Sequence, residues 1–110
     1  MARVTLTLGQ LVSGGVELVP VAAQTDGNAF ANTGNQFLYV LNGSGGNLVV
    51  TIRTPLTVGG IAVAEVTKTL ATTEDWIFGA FPTNIFNQSN GEVWIDYDLV
   101  TSVTVQAFTL

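Results

Sequence analysis

Carboxylates are the side chains here best suited to chemistry. Glu92, Asp96 and Asp98 recur at even spacing, with Trp94 between the first two. In a strand that spacing puts all four side chains on one face, neighbours about 7 Å apart. Carboxylates that close can share a calcium ion or serve a glycosidase. Calcium, however, gathers about six to eight oxygens, mostly from a loop. A glycosidase needs two carboxyls facing across a cleft, one of them held protonated. Nothing in the sequence marks such a group, so the expected reading is the solvated face of an outer strand. Asp26-Gly27-Asn28 begins like a calcium loop but lacks that loop's later acidic ligands, which leaves an Asx turn. Gly43-Ser44-Gly45-Gly46 has no lysine and joins two strands, so it reads as a hairpin turn and not a phosphate cradle.

Other chemistries are excluded by composition. The chain has no cysteine and no histidine, which removes disulfides, thiolate zinc sites, and Ser-His-Asp and Cys-His hydrolysis. No cofactor or metal is expected. Trp76, Phe78, Phe81, Phe86 and Trp94 could form a stacking platform for sugars or bases, although strands and cores favour aromatics anyway. Trp94 stands apart because alternation turns it away from Val93, Ile95 and Tyr97 and onto the acidic face. An outward Trp in a chain with few charges points to contact with a partner or a second copy.

Net charge and hydropathy narrow the partners. With three basic residues against eight acidic, a net charge of −5, Arg3, Arg53 and Lys68 cannot form the stripe that tracks phosphates, so no nucleic-acid partner is expected. No apolar run approaches the roughly 18 residues of a membrane span. The N-terminal residues alternate apolar and polar without a signal-peptide core, and synthesis in a cytoplasm is expected. Only 10% of the 110 residues are charged while 47% are apolar, so much of the surface must be Thr, Asn, Gln, Gly and uncovered apolar groups. Such a surface suits a protein packed against copies of itself.

The elements that must position these residues follow a period of two. Val4, Leu6 and Leu8 predict a first strand with one buried face, and Val16–Val19 a second, closed by Pro20. Ala22 to Gly34 is predicted to be a loop pinned by Phe30. Gln36 to Leu41, apolar on both faces, predicts a strand in the middle of a sheet. It leads through Asn42–Asn47 into Leu48–Thr54 as a hairpin. Gly59-Gly60 marks a further turn, and alternation slips near Val66, predicting a bulge or a change of sheet. Strands are predicted at Trp76–Phe78, extending to Pro82, then at Val93–Leu99 and Val103–Leu110. Helix signals are scarce. About eight or nine short strands at this turn spacing predict a single all-β domain over residues 1–110, an antiparallel β-sandwich of jelly-roll or other Greek-key type.

Several of these turn and strand patterns are similar to a known group. They are Asp26-Gly27-Asn28-x-Phe30-x-Asn32-x-Gly34, Phe37-Leu38-x-Val40-x-Asn42-Gly43-Ser44-Gly45 and Val49-Val50-Thr51-Ile52. Further along come Gly59-Gly60-Ile61-Ala62-Val63, Gly79-Ala80-Phe81-Pro82, Phe86-Asn87-Gln88 and Val103-Thr104-Val105. From about Thr5 to the end, the chain resembles small head decoration (cement) proteins of tailed bacteriophages. The resemblance implies a virion protein on the capsid surface, a homotrimer bound to the major capsid protein, with no enzymatic activity and no active-site residues. Expected contacts are the segment Ala2 to Leu8 and the loop Ala23 to Gly34, with Arg3, Thr5, Asp26, Asn28, Phe30, Asn32 and Trp94 as candidates. Two alternatives stand beside it. One is a carbohydrate- or receptor-binding module of a phage tail that stacks sugars on Trp94 or Trp76. The other is a head-tail connector or tail-tube component.

Overall fold

The computed structural model describes residues 3–55, 57–62 and 64–110. Met1, Ala2, Leu56 and Val63 lie outside them, and so does the Ala2 end of the expected contact segment. The strands are β1 (Val4–Thr5), β2 (Leu8–Gln10), β3 (Val21–Ala22), β4 (Asn28–Ala31), β5 (Gln36–Asn42), β6 (Leu48–Ile52), β7 (Thr57–Val58), β8 (Ile61–Ala62), β9 (Val66–Leu70), β10 (Asp75–Gly79), β11 (Glu92–Tyr97) and β12 (Val103–Thr109), with one helical turn, α1 (Thr83–Phe86), before β11. The first sheet runs β1-β4-β11-β6-β9 and the second β10-β5-β12-β2, with β3 next to β2 along the same edge of β12. Strands β7 and β8 form a separate hairpin around Gly59-Gly60, both glycines at positive φ as a tight primed turn requires.

The two sheets close on one apolar core. Phe30, Leu48, Val50, Ile52, Val93 and Ile95 come from the first sheet, and Leu38, Val40, Val103, Val105 and Ala107 from the second. Strict alternation puts these residues inside: along β6, Leu48, Val50 and Ile52 are buried while Val49 and Thr51 are half-buried. Each such aliphatic side chain contributes about 1.5–3 kcal/mol by leaving water. Phe30, Phe81 and Phe86 plug one end, with ring centres 5.7 Å and 5.4 Å apart in successive pairs.

The sandwich is all-β, as its periodicity predicts, but several elements differ from expectation. The sheets are mixed, because β1 runs parallel to β4 and β2 parallel to β12. The first predicted strand is split in two, and between Thr5 and Leu8 the chain passes from one sheet to the other. Twelve strand segments are described where eight or nine were expected, several of them two residues long. Val16–Val19 is not a strand; Gln106 holds it instead, accepting from the Val19 amide at 2.8 Å. The predicted loop Ala22–Gly34 contains β4, which pairs with both β1 and β11. The turn Asn42–Asn47 is not a hairpin, since β5 and β6 lie in different sheets. Beyond Gly79 the chain leaves β10 short of Pro82. The slip near Val66 is a change of sheet, from the β7–β8 hairpin to β9.

The crossing after β5 depends on one buried side chain. Asn42 donates to the carbonyls of Gly46 (2.8 Å) and Leu70 (2.9 Å) and accepts from the Ser44 amide (3.1 Å) and hydroxyl (2.6 Å). Leu70, at the end of β9, is fully buried, so its carbonyl has no access to water once the amide is removed. Asn42→Ala is therefore expected to destabilise the fold by about 2–4 kcal/mol, read from urea unfolding. Asn42→Asp should be at least as damaging, because a carboxylate cannot donate to the two carbonyls.

Candidate interaction site

Of the acidic face seen in the sequence, Glu92, Trp94 and Asp96 lie on β11, which is the middle strand of its sheet and not an outer one, and Asp98 follows just past its end. The three carboxylates serve three separate structural ends. Glu92 accepts from Asn90 Nδ2 at 2.8 Å, and Asp98 from the Val49 amide at 2.8 Å. Asp96 is held by two guanidinium groups, Arg3 at 2.5 Å and Arg53 at 2.8 Å, and Arg53 also pairs with Glu65. Partial burial alone would raise the Asp96 pKa. The hydrogen bonds and charges of the two arginines outweigh it and hold the carboxyl below its ordinary value. Among the described residues no group of three acidic, His or Cys side chains is placed to hold a metal.

Arg3 does more than balance Asp96. Its guanidinium also donates to the Ile95 carbonyl (3.0 Å) and sits 4.7 Å from the centre of the Trp94 ring. Gly27 lies beneath it at φ +88, where a Cβ would come within 2.6 Å of the Ile95 carbonyl oxygen. The turn Asp26-Gly27-Asn28 is thus shaped to let the N-terminal segment pass over it. Leu6 follows into the core, its amide bonded to the Ala29 carbonyl at 2.7 Å.

Past that point the sandwich does not close. Between β1 and β3 lies a cavity of about 460 Å³, lined on its apolar side by Val4, Leu6, Leu8, Val21, Val105 and Ala107. The register explains why it is apolar. Val4 pairs with inward Asn28, and Val21 with inward Val105, so both side chains point between the sheets. Yet Val4 is 46% and Val21 51% exposed, because β1 and β3 are two residues long and no other described element covers them. Leu11, Val12, Leu18 and Val19 add further exposed apolar surface to the same N-terminal segment.

The expected contact residues separate accordingly. Arg3 and Trp94 meet on the outer face of the first sheet, with Asp26 half-buried in the turn nearby. Thr5 is exposed at the rim of the cavity. Asn28, Phe30 and Asn32 are corrected: they are interior residues and present no surface to a partner. Phe30 belongs to the core, Asn28 donates to the Val4 carbonyl (3.0 Å), and Asn32 donates to the Phe81 carbonyl (2.9 Å). The two tryptophans offered as sugar platforms each carry a cation on one ring face, Arg3 on Trp94 and Lys68 on Trp76, the latter at 4.1 Å.

Sequence reasoning missed Val19 and Val21 as rim residues. A signal was present: residues 4–25 contain one charged side chain, Glu17. The chain matches no protein-family model, no curated protein and no solved structure.

Because the folded Asp96 carboxyl titrates below its unfolded value, its contribution to stability is complete above the ordinary value, about 4, and is lost as pH falls through the lower folded value. Asp96→Asn is accordingly expected to lower stability by about 1 kcal/mol at pH 7, with the deficit shrinking at about pH 3. Urea unfolding of both proteins at the two pH values measures it.

Proposed function

We propose that this chain is a non-enzymatic virion protein that decorates a bacteriophage capsid, binding the assembled lattice as a homo-oligomer, a trimer in the simplest case. The observation that carries the reading is the placement of uncovered apolar surface. Six of the eleven exposed large apolar side chains among the described residues, Val4, Leu11, Val12, Leu18, Val19 and Val21, lie on the N-terminal segment beside an open cavity. Glu17 is the single charge between residues 4 and 25, while Asp96 is committed to an ion pair and Asp98 to a backbone amide. Such a molecule has the means to bind and little with which to catalyse.

A decoration protein acts through linkage. It binds the assembled shell and not the dispersed subunits, so its binding free energy adds to the cost of disassembly. An oligomer touching several capsomers multiplies weak contacts through effective concentration. An interface poor in charge avoids leaving unpaired ions in a dry contact, which would cost about 3–5 kcal/mol each. The net charge of −5 also discourages adhesion to the packaged nucleic acid.

The test is light scattering on a sizing column, followed by incubation with empty capsids that lack the protein. The expected outcome is a stable oligomer that co-sediments with the shells and raises their melting temperature. Indifference to capsids, with binding to a glycan instead, would move the chain to a receptor-binding role.

A further inference from the structure

We infer that Asn90 is a site of spontaneous deamidation, the one of the chain's two Asn-Gly steps that the fold leaves reactive. An asparagine before glycine is open to attack by the next residue's own backbone nitrogen, because glycine has no side chain to screen it. The Gly91 amide gives up its proton, and its nitrogen bonds to Cγ of Asn90. The Cγ–Nδ2 bond breaks, Nδ2 takes up that proton and leaves as ammonia, and a cyclic imide remains. Water then opens either imide carbonyl, giving aspartate or isoaspartate at position 90. Nothing is oxidised or reduced.

The two steps sit in opposite surroundings. Asn42 is fully buried, its amide donating to the Gly46 and Leu70 carbonyls and accepting from Ser44. The Gly43 amide donates to the Ser102 carbonyl at 3.0 Å, and that oxygen would lie 2.7 Å from a Cβ on Gly43. Ring closure there requires the corner to open, and with it much of the sandwich. Asn90 is exposed in the turn Gln88–Gly91, between α1 and β11. Nothing stands within 4 Å of a Cβ position on Gly91, so the side chain and water both have room. The Asn90 side chain bonds to Glu92, donating to its carboxylate at 2.8 Å and accepting from its backbone amide at 3.2 Å. The second bond draws charge onto Oδ1, the oxygen that turns negative during attack. One bond must yield, from the Gly91 amide to the Gln88 carbonyl at 2.9 Å. In an exposed turn water replaces such a bond at little cost. Asp26-Gly27 shares the glycine but not the reactivity. Gly27 is buried beneath Arg3, and an ionised carboxylate is a poorer target than an amide.

The product differs from its parent. It adds one negative charge to the chain's −5, beside Glu92, and removes the amide that donated to that carboxylate. Isoaspartate also lengthens the main chain just before Gly91, whose carbonyl accepts from the amide of buried Asn32 at 3.0 Å. The aged form is therefore more acidic and less stable.

The test incubates the purified chain in mildly alkaline buffer, folded and in urea, and maps its peptides by mass spectrometry over time. Circular dichroism confirms the folded sample, ion exchange follows the acidic species, and enzymatic methylation reports isoaspartate. In the folded chain Asn90 is expected to convert about a hundredfold or more faster than Asn42. In urea the two should agree within about threefold, because the surroundings that separate them are gone. Asn90→Gln, whose longer side chain disfavours ring closure, should remove the main acidic species from the folded protein. An Asn90 no more reactive than Asn42 in the folded chain would overturn the inference, whatever urea shows. So would an acidic species that survives Asn90→Gln, or aspartate formed without isoaspartate, which would bypass the imide.

Discussion

Four buried amides set the shape of this sandwich. Asn28, Asn32, Gln36 and Asn42 are the buried polar residues among those described, and they bracket β4 and β5 at both ends. Where a chain leaves one sheet for the other, backbone groups point inward with no ladder partner. Only a side chain with both donors and an acceptor can satisfy such a corner. Asn28 donates to the Val4 carbonyl while accepting from the Gln24 amide and the Tyr97 hydroxyl. Asn32 joins the Phe81 carbonyl, Asn87 and the Gly34 amide. Gln36 ties the turn at Thr33 to Thr109 on β12. Each corner fixes where the next strand begins, so loss of one amide misplaces a whole crossing.

The open N-terminal side follows from the same connectivity. The chain spends two residues on the first sheet, crosses at Leu6, and then joins the second sheet parallel to β12. A segment divided between two sheets covers neither edge fully. Arg3 compensates at one end, clamped by Asp96, the Ile95 carbonyl and the Trp94 ring. This clamp keeps Leu6 in place and leaves Val4, Val19 and Val21 uncovered. At the opposite side Lys68 of β9 reaches across to Trp76 of β10, which remains 40% exposed.

The all-β class, the central position of β5, the Gly59-Gly60 turn and the inward faces of β11 and β12 were legible because alternation is local and burial enforces it. Sheet membership was not. The Asn42–Asn47 turn has the composition of a hairpin, yet the contacts that draw β6 to β11 and β9 lie far along the chain. The Ala22–Gly34 segment looked like a surface loop because Asn and Gly favour turns. Its asparagines instead satisfy interior carbonyls, a use that composition cannot distinguish. For the candidate site, Thr5 is exposed while Arg3 and Trp94 are half-buried against each other, and the cavity emerged only from the register of β1 and β3. Its sequence trace, a long run with a single charge, Glu17, resembles an ordinary strand and its loop.

The central claim is that the uncovered N-terminal side is where this protein meets another protein surface. Hydrogen exchange read at low and at high concentration tests it without any mutation. The account predicts that amides of Val4–Leu8 and Val19–Ala22 gain protection as concentration rises, while those of Asp75–Gly79 do not. Protection that rises on β10 instead, or nowhere, would contradict it.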